Sequence, residues 1–151
     1  MKIIVLAGGL SPERDVSLTS GAGICRTLRE MGHQAFLMDV FFGFPYEADR
    51  LMEVFDLPGA GLEIADGIKT TAPDLDTLKR SRPDQSDCML GPNVIELCQM
   101  ADITFMGLHG SIGEDGKLQA TFDVLGIRYT GPSALGCSLS MNKLVAKQIF
   151  K

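Results

Sequence analysis

Apolar positions along this chain follow two rhythms. Ile3-Ile4-Val5-Leu6 is a continuous run that ends at Gly8-Gly9, the pattern of a strand buried on both faces, as in a parallel sheet. A polar loop from Leu10 to Asp15 follows. Val16, Ser20, Ile24, Leu28 and Met31 then recur at helical spacing, which predicts a helix over about 16–31 with Gly32 as its stop. Gln34 to Val40 reads as a second strand. Strand, helix and strand in this order make a βαβ unit with a right-handed crossover.

Beyond this unit, Ala48, Leu51, Met52 and Phe55 predict a short helix entered at Pro45. Ile64-Ala65-Asp66-Gly67-Ile68 has the form of an Asp-Gly hairpin, and residues 71–92 read as polar loop. Asn93 is placed to cap a helix reaching Met100. Ile103 to Leu108 predicts a third strand, His109 to Lys117 a Gly-rich loop, and Leu118 to Leu125 a helix facing inward with Leu118, Phe122 and Leu125 and stopped by Gly126. Ile127-Arg128-Tyr129-Thr130 predicts a short fourth strand. From Ser133 one helical pattern runs to the end through Leu135, Leu139, Leu144 and Ile149. The alternation predicts an α/β layered domain around a small, mainly parallel, four-stranded sheet.

Composition narrows the function. The 151 residues suit one domain, and 45% hydrophobic with 22% charged residues excludes a disordered or fibrous chain. No run approaches a membrane span, and Met1 to Ala7 is too short for a signal peptide, so a cytoplasmic location is expected. The cysteines (Cys25, Cys88, Cys98, Cys137) are scattered, which predicts reduced thiols and neither a zinc site nor a disulfide framework. A net charge of −5 speaks against nucleic acid as a partner. That charge is local: residues 41–92 hold ten acids and five bases, with nine of each elsewhere, and five of the seven prolines. The segment reads as an insertion or long connection.

Two loops leave strand ends, where open α/β sheets bind ligands. In Gly8 to Ser17 the residues after Gly8-Gly9 match neither a dinucleotide fingerprint nor a P-loop. The loop instead sets Glu13 just ahead of a helix start, where amide dipoles keep a carboxylate ionised. Glu13 is therefore either an ordinary acidic residue of a first turn or a fixed anion for a substrate cation. In the second loop, His109 follows an apolar run and three glycines admit close backbone approach. His109 is a structural group or a site residue on this pattern alone. Glu114-Asp115 reads as a turn and lacks the acidic ladder of a calcium loop. Cys137 reads as a small apolar filler. Lys143, Lys147 and Lys151 make a solvated stripe at i, i+4, i+8 or lend one phosphate contact.

Together these motifs carry a resemblance. Gly8-Gly9-x-Ser11-x-Glu13-Arg14-x-Val16-Ser17 and His109-Gly110-x-x-Gly113-Glu114-Asp115-Gly116-x-Leu118-Gln119, followed by Tyr129-Thr130-Gly131 and Ser140-Met141-Asn142-Lys143, resemble the D-alanine–D-alanine ligases. The match runs over most of the chain outside 41–92. The family commonly has Asp where Asn142 stands. The resemblance implies a three-layer, Rossmann-like pre-ATP-grasp domain over 1–151, with a helix at about 133–151 leading to an ATP-grasp domain beyond Lys151. It implies ATP-dependent joining of two D-alanines through an acyl phosphate, for peptidoglycan.

By the same resemblance Glu13 anchors the first ammonium, with Val16, Ser17, His109 and Gly110 beside that substrate. Glu114 stands behind them and Lys143 reaches the nucleotide phosphates. No residue here maps onto a magnesium ligand, so ATP and Mg2+ would be held mainly beyond this chain. No nucleic acid or membrane is implied, and a homodimer is compatible. Two other readings stay open: a stand-alone binding module with 41–92 as its partner surface, and a carboxylate–amine ligase of different substrate. A downstream ATP-grasp sequence separates the enzyme from the module.

Overall fold

The computed structural model describes residues 1–46 and 48–151. Three parallel strands, β1 (Lys2–Ala7), β2 (Gln34–Asp39) and β3 (Ile103–Met106), form one sheet in the order β2-β1-β3. β1 is central and every residue of it from Ile3 to Ala7 is buried, as a parallel strand covered on both faces requires. Alternate side chains divide two cores. Ile3, Val5 and Ala7 pack with Ala35 and Leu37 under the helix α1 (Arg14–Glu30). Ile4 and Leu6 pack with Phe36 and Met38 against the opposite layer. That layer contains a 3-10 helix (Ala48–Asp56), α3 (Val94–Met100) and α5 (Lys117–Leu125). α2 (Leu75–Ser81), α4 (Ser111–Glu114), α6 (Ala134–Met141) and α7 (Lys143–Ile149) complete the chain.

The α/β class and the parallel sheet hold, but several elements differ from the sequence reading. Among the described residues there are three strands, not four. Tyr129 makes a single parallel bridge to Thr104. The next N–H, that of Met106, is taken by the Thr130 hydroxyl at 3.1 Å, so the ladder stops before Gly131-Pro132. The inward face of α1 is Ser17, Leu18, Gly21, Ala22 and Cys25; Val16 is 40% and Met31 67% exposed. Small residues let this helix lie close to the sheet, and small residues contribute little to a hydropathy stripe. Leu125 is likewise exposed rather than inward.

The 45–55 element is a 3-10 helix that turns Leu51, Val54 and Phe55 inward and leaves Met52 exposed; Glu47 of that reading lies outside the described residues. No hairpin forms at 64–68: a short 3-10 turn, Leu62–Ile64, is followed by extended chain. Residues 71–92 are not all loop, because Asp74 caps α2 by accepting from the Asp76 and Thr77 N–H groups at 3.1 and 3.2 Å. Arg82, almost wholly buried, then ties this charged segment down. It pairs with Asp84 at 2.7 Å, donates to the Cys88 and Leu90 carbonyls and lies over the Phe41 ring. Asn93 precedes α3 but does not cap it. Its amide instead donates to the Phe44 and Tyr46 carbonyls at 2.7 and 2.8 Å. The final pattern is two helices, α6 and α7, broken at Asn142.

All four cysteines are free, with only Cys88 exposed. Burial pushes the Cys98 thiol up to about 12, although a Thr104 hydroxyl contact lowers it somewhat, and burial also raises Cys25 and Cys137. The thiolate is the reactive form. A thiol reagent near pH 8 is therefore expected to modify Cys88 quickly and the other three only on unfolding. Mass spectrometry of the labelled native chain checks this, and fast labelling at a second cysteine contradicts it.

Candidate functional site

The two strand-end loops meet. β1 gives way to Gly8 and Gly9, both at positive φ. A Cβ on Gly8 would lie 2.5 Å from an Asp39 carboxylate oxygen, so only glycine fits there. Ser17, reaching back from the first turn of α1, accepts from the Gly8 N–H at 2.9 Å and donates to the Gly107 carbonyl at 2.7 Å. One buried hydroxyl thus joins the end of β1 to the end of β3.

Ser11, also buried, accepts from the Glu13 N–H at 3.1 Å. Glu13 stands at the cap position of α1, yet its side chain makes no capping bond. Its carboxylate is exposed and, among the described residues, receives only the Ser11 hydroxyl, at 3.4 Å. Among the described residues no basic side chain lies within 4 Å of it. The helix start and the free amides near it favour such an anion.

Gly110, at φ 82°, is seated directly on this carboxylate: a Cβ there would be 2.7 Å from Glu13 Oε2 and 2.5 Å from the Ser11 hydroxyl. The second loop is held from behind. Gly110 N–H donates to Glu114 at 3.2 Å, and the other Glu114 oxygen lies 4.0 Å from His109 Nδ1. Gln119, buried on α5, donates to the Gly113 carbonyl at 2.6 Å. Asp115 is partly buried, which raises its pKa, but the Lys117 ammonium and N–H outweigh this and hold it below the usual range. Its role is the turn into α5.

The structure therefore brings Glu13, Gly110, His109 and Glu114 into one patch at the carboxyl ends of β1 and β3. His109 turns toward Glu114 rather than bonding Glu13. Val16 is half exposed beside the patch, and Ser17 lies beneath it as a fastener. Lys143 is apart, exposed in the first turn of α7, in a shallow depression shared with Asp115 and Ser138. Among the described residues no group of three or more His, Cys, Asp or Glu side chains could hold a metal ion, and no helix is long and apolar enough to cross a membrane.

A cleft of about 390 Å³ lies elsewhere, between Phe36, Asp39, Phe42, Tyr46 and Arg50. It contains neither Glu13 nor His109; Arg14 and Asp39 stand in its wall. The patch, not the cleft, holds the free carboxylate and the convergent loops. The sequence reading passed over Asp39. Its signal was an acid closing an otherwise apolar strand, where a charge is buried only if it is paired.

Comparison with known proteins gives the relatives of this chain. A family model described as "D-ala D-ala ligase N-terminus" matches residues 2–132. The D-alanine–D-alanine ligase of Lacticaseibacillus casei (strain BL23) is 44% identical over 99% of this chain and 42% of its own length. That of Pediococcus pentosaceus is 41% identical with the same coverage. A Bacillus anthracis D-alanine–D-alanine ligase solved with ATP superposes with a TM-score of 0.59 at 23% identity, over 99% of this chain and 35% of that one. The chain spans about two fifths of the length of the curated relatives it matches.

Proposed function

The chain belongs to the D-alanine–D-alanine ligase family as its N-terminal portion, and from that premise we propose that it supplies the first amino-acid site of an ATP-dependent ligase. The carboxylate of one D-alanine takes the terminal phosphoryl group of ATP. The amine of a second D-alanine attacks the acyl phosphate, and phosphate leaves. On this reading the reaction belongs in the cytoplasm and feeds peptidoglycan with its dipeptide.

What carries the reading is the exposed carboxylate of Glu13 at the start of α1, with no basic side chain on it among the described residues and with Gly110 against it. A fixed anion at that point complements an ammonium and leaves the amino acid's own carboxylate pointing outward. Positioning of this kind contributes several kcal/mol to a two-substrate reaction, roughly 7–11 at its best. His109 and the Gly110 backbone border the same space, and Glu114 keeps their loop in place.

Among the described residues no group of three or more His, Cys, Asp or Glu side chains could hold a metal ion. Lys143 offers one cation to a phosphate and nothing more. Nucleotide and metal contacts are assigned on this reading to the part of the relatives' length that this chain does not span.

The test is a chimera of residues 1–151 with the remainder of the Lacticaseibacillus casei ligase. In a strain lacking its own ligase it is expected to support growth and to release phosphate when given D-alanine and ATP. A folded chimera that forms no dipeptide overturns the proposal.

A further inference from the structure

Glu13 and Arg14 are sequence neighbours of opposite charge, and the fold treats them oppositely. Glu13 is left free. Arg14 is fully engaged: it is ion-paired with Asp39, donates to the Gly9 carbonyl at 3.2 Å and lies over the Phe42 ring at 5.1 Å. Asp39 is 4% exposed and sits opposite Ala7 in the β1–β2 register, one residue from Gly8. One of its oxygens accepts N–H groups from Phe41 at 2.8 Å, Phe42 at 3.2 Å and Gly9 at 3.4 Å. Its other oxygen faces the Arg14 guanidinium.

This arrangement needs a cause, because a cation in the first turn of a helix opposes the helix dipole. Without a partner, the Arg14 guanidinium would be the nearest competitor for the Glu13 carboxylate. A tethered cation acts at a high effective concentration, so a substrate ammonium would have to displace it. We propose that Asp39 is a positioning residue for the amino-acid anchor: it takes up the Arg14 guanidinium and the Gly9 amide, and so keeps the Glu13 charge free for the substrate ammonium. This rests on the reading of Glu13 as the anchor.

The test uses the full-length chimera and four variants, each checked by thermal unfolding. Asp39→Asn is expected to raise the KM for the first D-alanine about tenfold while leaving the KM for ATP unchanged. The double variant Arg14→Gln/Asp39→Asn removes the competing cation as well, and is expected to recover most of that loss. A collapsed loop would give no such recovery. Arg14→Lys keeps the charge but lacks the guanidinium fork, and is expected to raise the same KM several-fold; it decides the matter if Asp39→Asn does not fold. An unchanged first-site KM in Asp39→Asn, or a double variant as impaired as the single, overturns the inference. Glu13→Gln serves as the control. If it too leaves that KM unchanged, the anchor reading itself has failed; if it alone has an effect, only the role of Asp39 has.

Discussion

Glu13→Gln in the full-length chimera is expected to raise the KM for the first D-alanine and to cut kcat/KM at least about tenfold, close to 1.4 kcal/mol. Glutamine keeps the shape and the hydrogen-bonding oxygen of Glu13 and removes the charge, so the variant isolates the ion pair. In this chain alone the carboxylate faces water, and an exposed pair contributes only about 0–1 kcal/mol. The larger figure requires that the rest of the enzyme cover the site and lower the local dielectric, which strengthens the attraction several-fold. The KM for ATP serves as an internal standard and is expected to stay put. Unchanged kinetics for both amino acids would remove Glu13 from the mechanism.

The opposite limit is the chain by itself. Purified residues 1–151, given ATP, magnesium and D-alanine, are expected to release no phosphate above background. Phosphoryl transfer depends on positive groups around the developing charge and on bridged phosphates. This chain offers Lys143, exposed in the first turn of α7, and no cluster of metal-binding side chains among its described residues. The anchor remains, but its exposed pair holds an amino acid only at millimolar concentration or weaker. Sustained turnover dependent on D-alanine would falsify the division of labour assigned here.

Much of the fold was legible because parallel strands write themselves plainly: Ile3 to Leu6 has one solution as a strand buried on both faces. The meeting of the two loops was legible for a related reason. Loops leaving the carboxyl ends of neighbouring parallel strands must converge, and Glu13 and Gly110 do. What escaped notice depends on partners distant in sequence or on small side chains. Apart from Leu18, the buried face of α1 is made of the small residues Ser17, Gly21, Ala22 and Cys25, so no helical stripe of large apolar residues marks it. Arg82 is buried only because carbonyls six and eight residues later turn back to it. Ser17 looked like a group for substrate, yet its hydroxyl is consumed between Gly8 and Gly107. Asp39 could be read as strand or as charge; that it was both, paired to Arg14 across the loop, required the β1–β2 register.

The break between α6 and α7 falls on Asn142, whose side-chain oxygen accepts the N–H groups of Leu144 and Val145, each at 3.2 Å. Asn and Asp are equally good in that position, which explains how the joint tolerates an amide where the ligases it resembles commonly carry Asp. The exchange has a price in charge and a gain in constancy. An aspartate cap weakens once its carboxyl takes up a proton in acid, whereas an amide has no proton to gain there. The α6–α7 corner, and with it the lysine that opens α7, is therefore held by a clasp indifferent to acidity, and Lys143 has no anion at the preceding residue.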